Sequence, residues 1–296
     1  MRSGRRVVLF AAVTLIAFCV GTGAATAAST LRAPHPKFMT KKFRKQVRKS
    51  GNRGKPAPKS DGPGPADVCP GLDPSSPSPA TSVVSAGTCV VYPYGCSANF
   101  IYSNGSQYYV GTAGHCVDKV GQHIYMVVST PGVGPSIADV GTVAKFVDGG
   151  VGNDYAVIAI ARGFTVDPKL PVGGPQGIYT GCGPESVRYW GHGYGVAVSQ
   201  GKPEGGLATN WFDDGYGWTG VGIFGDSGSG VVTTTGQAAG DFTHLIVDTK
   251  YPGSDLAGTR ITKILRGTGL SLVNADGTRT PAASTSCGGP GKGLRL

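Results

Sequence analysis

From Ser85 onward the chain runs in short apolar or alternating stretches broken by Gly, Pro, Asn and Ser, the pattern of strands separated by turns. Strands are predicted at Cys89–Tyr94, Ala98–Ser103 and Gln107–Thr112, with Asn104-Gly105 between the last two as a hairpin dipeptide. The series continues at Ile124–Val128, Asp139–Phe146 and Tyr155–Ala161. After Pro168 and the Pro171–Gly177 stretch, a second set is predicted at Ser186–Tyr189, Val196–Gln200, Leu207–Phe212, Ser229–Thr234, Thr243–Val247 and Gly258–Ile261. No long amphipathic helical stretch stands out. The 50 glycines and 21 prolines suit many tight turns, so the chain reads as all-β.

The first 82 residues follow a different pattern. Arg2, Arg5 and Arg6 precede an apolar run from Val7 to Val20, and Ala25-Thr26-Ala27 offers small residues for cleavage. A run of this length is short of the roughly 20 residues that span a bilayer, so residues 1–28 read as a secretory signal peptide and the protein is expected to be secreted. Residues 29–82 hold a dense basic run, Lys37 to Lys59, followed by Pro-, Gly- and Ser-rich sequence. Like charges repel and too few apolar residues are present to offset ordering entropy, so a disordered arm is expected. It reads as a removable pro-segment or linker, or as an electrostatic tether to an anionic cell wall.

That arm changes how the charge is read. The formal net charge is +10, yet residues 1 to 60 carry 14 Lys or Arg and no acid, while the rest of the chain carries 13 basic and 17 acidic residues. The folded part is therefore mildly acidic. Nucleic-acid binding is not expected, because the basic run lacks interleaved aromatics and the chain is exported. With Cys19 removed in the signal peptide, Cys69, Cys89, Cys96, Cys116, Cys182 and Cys287 remain, an even set that implies disulfides in an exported chain.

Three segments carry candidate chemistry: Thr112-Ala113-Gly114-His115-Cys116, Asn153-Asp154-Tyr155-Ala156-Val157-Ile158 and Gly225-Asp226-Ser227-Gly228-Ser229-Gly230. In that order they supply a base, an acid to orient it and a hydroxyl nucleophile, the parts needed to activate a serine. Together, over residues 83 to 270, they resemble the trypsin/chymotrypsin superfamily of serine endopeptidases, in its bacterial secreted form.

The resemblance implies two six-stranded antiparallel β-barrels, at about 85–170 and 176–270 within a domain of 83–296, with a short C-terminal helix opening at Ile261–Leu265. It implies His115 as general base, Asp154 as its orienting acid and Ser227 as nucleophile, with the N–H groups of Gly225 and Ser227 as oxyanion hole. It also implies a Cys96–Cys116 bridge. The remaining four cysteines are expected to pair as Cys69–Cys89 and Cys182–Cys287, with no spacing rule behind that choice. Ser229 departs from the usual Gly-Asp-Ser-Gly-Gly. Val221 stands where trypsin-like members carry an acid, so apolar or aromatic substrate residues are expected. Thr243 and His244 are placed beside the pocket. There His244 favours acidic substrate residues or lies at the rim without a role, and Thr243 is a candidate to bond Asp154. Arg188 is a candidate partner for Asp226, in place of an activating N-terminus.

Other assignments were weighed on the residues themselves. Asp139 and Asp148 are alternative acids, although Asp148 precedes Gly149-Gly150 and reads as a turn residue. His35, His123 and His192 lack the context of His115. Asp213-Asp214-Gly215 reads as a turn before it reads as a calcium loop. No metal or organic cofactor is implied, and a monomer acting on protein or peptide substrates is expected. A different class, a catalytically silent protease-like protein that binds an anionic cell surface through its arm, is opposed by the full set of site residues.

Overall fold

A computed structural model describes residues 82–92, 95–132, 134–193, 203–223, 225–246 and 253–289. Residues 1–81, which hold the expected signal peptide, the expected arm and Cys69, and the strand predicted at Val196–Gln200 lie outside the described residues.

Two sheets account for the described strands, joined mostly by antiparallel pairing. The first has eleven strands: β1 (Val83–Ser85), β2 (Cys89–Tyr92), β3 (Cys96–Ser97), β4 (Ile101–Ser103), β5 (Tyr108–Thr112), β6 (His123–Thr130), β7 (Gly134–Asp148), β8 (Asp154–Ile160) and β9 (Thr165–Asp167), joined late by β17 (Ser271–Val273) and β18 (Arg279–Thr280). The second has seven: β10 (Glu185–Tyr189), β11 (Glu204–Trp211), β12 (Gly215–Trp218), β13 (Gly230–Thr233), β14 (Ala238–Asp241), β15 (His244–Leu245) and β16 (Leu256–Thr259). This is the all-β, two-barrel architecture expected, with an eleven-and-seven division in place of six and six. The extra strands of the first sheet are short pieces at its ends, and two of them come from the C-terminal tail.

The first core is aliphatic. Val110, Ile124, Met126, Val140, Val143 and Ile158 are buried in it, as expected of β-branched and long apolar residues on the inner face of a closed sheet. The second core is aromatic. Trp211 stacks on Tyr216 with centroids 4.9 Å apart, and Tyr216 on Trp218 at 5.2 Å. Glycines at 215 and 217 leave Tyr216 and Trp218 as the large side chains of β12, which is why this strand looks like a turn in sequence.

After β16 the chain enters helix α1 (Ile261–Thr268), buries Ile261, Ile264 and Leu265, and stops at Gly269, whose left-handed φ of 72° returns its N–H to the Leu265 carbonyl. Strand β17 then pairs with β4, opposing Leu272 to Tyr102. The chain that built the second barrel therefore closes on the first.

Arg260, at the N-cap of α1, holds this return in place. It is fully buried, sits 5.0 Å from the Trp211 ring centre, and donates to the carbonyls of Tyr179 and Gly181. Burial pulls its guanidinium down to about 10, which still leaves it charged at neutral pH. Cys182 and Cys287 are bonded beside it, and Asp213 accepts the N–H groups of Cys287 and Gly288 at 2.7 and 3.0 Å. Asp214 pairs with Lys263 and Arg266, so the Asp-Asp-Gly segment anchors the tail and the helix.

Closing a loop of 105 residues limits the unfolded chain more than the native one. Replacing Cys182 and Cys287 by serine together is expected to cost about 2–5 kcal/mol in a urea unfolding titration, with the first-barrel site geometry retained.

Candidate active site

His115 and Asp154 are brought together by two neighbouring strands of the first sheet. Strand β5 pairs with β8 so that Thr112 opposes Ala156. The chain leaving β5 makes one tight helical turn over Gly114–Cys116, which sets His115 over the head of β8, where Asp154 begins the strand. His115 Nδ1 lies 2.7 Å from Asp154 Oδ2, and the His115 backbone N–H donates to Asp154 Oδ1 at 2.9 Å. A residue with a Cβ cannot replace Gly114, since that atom would fall 1.9 Å from the Val147 carbonyl and 2.9 Å from Asp154 Oδ1.

Both groups are withdrawn from solvent: His115 is 4% exposed and Asp154 0%. Burial on its own would raise the Asp154 carboxyl. The charge and hydrogen bonds of His115, with His244 behind, outweigh it, so Asp154 is held below the ordinary carboxylate range. Its nitrogen donates to Thr259 Oγ1 at 3.0 Å, and the same hydroxyl donates back to the Asp154 carbonyl at 3.1 Å. Thr259 ends β16, so this hydroxyl ties the acid to the second sheet. The expected Thr243–Asp154 bond is therefore corrected: Thr243 donates to the Ala257 carbonyl, and Thr259 takes the place at the acid.

The Ser227 loop is pressed against the first barrel. Ser97 N–H donates to the Ser227 carbonyl at 2.8 Å, and Ser97 Oγ donates to the Gly225 carbonyl at 2.9 Å. The Ser227 carbonyl also lies 3.8 Å from Cys116 Sγ, next to His115. Gly228 has φ +92°, and a Cβ there would lie 2.3 Å from Thr112 Oγ1. Ser229, the departure from the usual motif, donates its hydroxyl to the Asp226 carbonyl at 2.6 Å and so braces the loop behind Ser227. The Cys96–Cys116 bond is present and pins the His115 turn to β3. Cys89 is also disulfide-bonded; its expected partner, Cys69, lies outside the described residues.

Remaining residues fall in different places. Asp139 pairs with His123 at 2.7 Å and so serves another histidine. Asp148 opposes Asp154 across β7 and β8. His192 lies 2.7 Å from the Gly87 carbonyl. Val221 is 62% exposed, on the segment leading to the Ser227 loop. Thr243 and His244 are buried, and His244 is turned toward His115 and Asp154, with Nε2 3.9 Å from Asp154 Oδ2. Residues 247–252, beyond that strand, lie outside the described residues.

Arg188 does not pair with Asp226 among the described residues. Side chains alternate along a strand. Tyr189 is the residue of β10 that shares a field with Asp226, and Arg188 projects to the other side, toward Gly173. Asp226 is instead fully buried. One oxygen accepts the Ile223 N–H at 2.9 Å, and the Gly191 and Gly193 backbone lies beside the other. Burial raises its carboxyl to about 7, the Ile223 N–H opposes this, and the charge of Glu204 adds to it. Sequence reasoning missed Arg260, Thr259 and Ser97, single polar residues whose partners are far away in the chain.

No protein-family description matches the chain, and no curated protein matches it. Among solved structures it is similar to Thermobifida fusca Protease A, at 20% identity over 64% of this chain and 98% of that one, with a TM-score of 0.44. It is also similar to a glutamic acid specific serine protease that uses a novel histidine triad in substrate binding, at 17% identity over 64% and 100% of the two chains, TM-score 0.45. Alpha-lytic protease homolog N4 matches at 16% identity over 64% and 98%, TM-score 0.42.

A carboxyl raised to about 7 in the folded protein holds a proton that the unfolded chain releases at lower pH. Its stabilising contribution is complete below the unfolded value of roughly 4 and is lost as pH rises through about 7. Asp226→Asn should therefore raise the melting temperature more at pH about 8 than at pH about 5. Equal shifts at both pH values in thermal melts would show that Asp226 ionises freely.

Proposed function

We propose that the chain is a secreted serine endopeptidase that hydrolyses peptide bonds through an acyl-enzyme. The observation that carries this reading is the buried His115–Asp154 pair, 2.7 Å apart, beside the loop that presents Ser227. Because Nδ1 of His115 is engaged by Asp154, Nε2 is the nitrogen left for the serine. Ser227 Oγ attacks the scissile carbonyl while His115 takes its proton. His115 then protonates the leaving amine, and a water deprotonated by His115 releases the acyl group. Asp154 holds the ring in one orientation and stabilises the imidazolium.

The developing oxyanion is assigned to the N–H groups of Gly225 and Ser227. Gly225 has a positive φ of 102°, a backbone turn that side-chain-bearing residues resist. Ser97 holds the Gly225–Asp226 and Ser227–Gly228 peptides through their carbonyls and so fixes the course of the loop around Ser227. Preorganised donors of this kind are worth roughly 10²–10³ in rate each.

On specificity, Val221 supplies no charge where trypsin-like members carry one, and apolar or aromatic side chains are preferred. Asp255 carries an exposed carboxylate nearby, and it accepts the Gly220 N–H at 3.2 Å. Secretion is supported by the N-terminal pattern and by the disulfides. The silent surface-binding reading has only the basic arm in its favour.

A fluorophosphonate probe tests the proposal directly. Wild type, with the arm removed, should be labelled and Ser227→Ala should not; a folded wild type that resists the probe overturns the reading. Asp154→Asn should retain the fold and lower kcat by roughly 10⁴. In peptide substrates, cleavage after phenylalanine is expected to exceed cleavage after arginine. The reverse order would overturn the apolar preference and direct attention to Asp255.

A further inference from the structure

The bond between Cys182 and Cys287 closes a separation of 105 residues, and its two sulfurs stand in unlike surroundings. Cys182 lies in the loop before β10 and is exposed, as are Gly183 and Pro184 after it. Cys287 is half-buried and packs against the aromatic core of the second barrel. There Arg260 Nη1 lies 2.8 Å from Cys287 Sγ. Its other terminal nitrogen, Nη2, donates to the carbonyls of Tyr179 and Gly181 at 3.3 and 2.9 Å, and the Trp211 ring lies 5.0 Å from the group. The fold thus fixes a cation against one sulfur of the pair.

A disulfide opens when a thiolate attacks one sulfur and the other leaves with the electron pair. The leaving thiol departs faster the lower its pKa, and a neighbouring guanidinium lowers that pKa. Access and leaving-group quality select the same direction here. Cys182 is the exposed side of the bond, and Cys287 is the side whose thiolate forms beside a positive charge. That thiolate also stays in place, because Asp213 Oδ1 accepts the N–H groups of Cys287 and Gly288 at 2.7 and 3.0 Å. The Asp213 charge opposes a thiolate, but its bonded oxygen is engaged by backbone N–H groups, whereas Arg260 touches the sulfur itself. The Cys96–Cys116 bond has the opposite setting. Both residues are buried, at 2% and 0% exposure, and the Ser227 carbonyl oxygen lies 3.8 Å from Cys116 Sγ.

The geometry points to Cys182–Cys287 as a thiol-exchange site, where Cys182 takes a low-molecular-weight thiol and Cys287 leaves as a thiolate beside Arg260. The attacking thiolate forms a mixed disulfide with Cys182 as the Cys182–Cys287 bond breaks, and the electron pair passes to Cys287 Sγ. A second thiolate attacks the added sulfur, releases Cys182 as a thiolate and departs as the small-molecule disulfide. Two small thiols are oxidised and one protein disulfide is reduced; the small-molecule disulfide closes the bond again by the reverse steps. The tail is unlinked while the Cys96–Cys116 bond keeps the His115 turn pinned to β3. The site does not depend on whether Ser227 acts as a nucleophile.

The test treats the full chain with glutathione under native conditions at neutral pH, quenches with excess iodoacetamide and maps the cysteines by peptide mass spectrometry. Glutathione on Cys182 and alkylation of Cys287 are expected, with Cys96 and Cys116 still bonded to each other. Glutathione on Cys287, a Cys182–Cys287 bond that stays closed, or opening of Cys96–Cys116 at an equal rate overturns the proposal. Arg260→Gln removes the charge and should slow opening roughly tenfold, whereas Arg260→Lys keeps it and should stay near the wild-type rate. A folded Arg260→Gln protein that opens as fast as wild type, or faster, overturns the part given to the guanidinium. Where Arg260→Gln does not fold, the position of glutathione on the wild-type chain decides the matter.

Discussion

Placing an ionised carboxylate where water cannot reach it is costly unless charge and hydrogen bonds replace the lost solvent. Asp154 has no exposed surface, and the surroundings that make this tolerable come from both barrels. The first supplies the His115 ring and backbone N–H. The second supplies the Thr259 hydroxyl, bonded to the nitrogen and carbonyl of Asp154, and the His244 ring. His115 supplies the hydrogen bonds to the carboxylate itself, and Thr259 anchors the Asp154 backbone from the second sheet, so the seam fixes where the acid stands. Ser97 repeats the device from the opposite direction, reaching from β3 to the carbonyls of Gly225 and Ser227.

The three buried aspartates near this seam show how environment divides one residue type into different states. Asp154 has cationic or polar partners around it and is held ionised. Asp241, one strand further in, accepts the Thr259 N–H. It lies in the field of Asp154 with the buried phenols of Tyr102 and Tyr216 close enough to feel its charge, and its carboxyl is pushed toward the neutral form. Asp226 lies between, with burial and the charge of Glu204 set against the backbone N–H groups of Ile223 and Gly193. Like charges crowded into low dielectric do not all ionise. With the carboxyl of Asp241 raised and that of Asp154 lowered, Asp154 is the more readily ionised of the two.

Strands and motif segments were legible because they are local. A run such as Asp154–Ile160 declares itself by its apolar residues, and His115, Asp154 and Ser227 sit in short stretches of characteristic sequence. The tail shows the opposite case: Ser271–Val273 has no pattern of its own and becomes a strand because β4 offers it an edge. Strand β12 was missed because its glycines imitate a turn, and their reason is the aromatic stack on either side. Arg188 was an attractive partner for Asp226 by its position in the chain, but the two-residue period of β10 turns it away. Thr243 was the expected donor to Asp154, but pairing in the second sheet sends its hydroxyl to the Ala257 carbonyl and brings Thr259 to the Asp154 backbone instead. Partner identity across a seam depends on register, and register is a property of two strands together.

The departures from the expected motif share a location. Ser229 braces the nucleophile loop from behind, His244 backs the acid, and Arg260 fastens the helix that follows Thr259 to the carbonyls of Tyr179 and Gly181. Each belongs to the second barrel or its exit, and none contributes to the His115–Asp154 contact itself. The first barrel alone therefore determines how His115 is held. The second determines whether Ser227 stands beside it. Chemistry of this kind depends on a rigid seam, since a shift between the barrels would separate base from nucleophile while leaving both sheets intact. Buried hydroxyl and guanidinium contacts, which have direction as well as strength, suit that requirement better than apolar packing, which tolerates sliding.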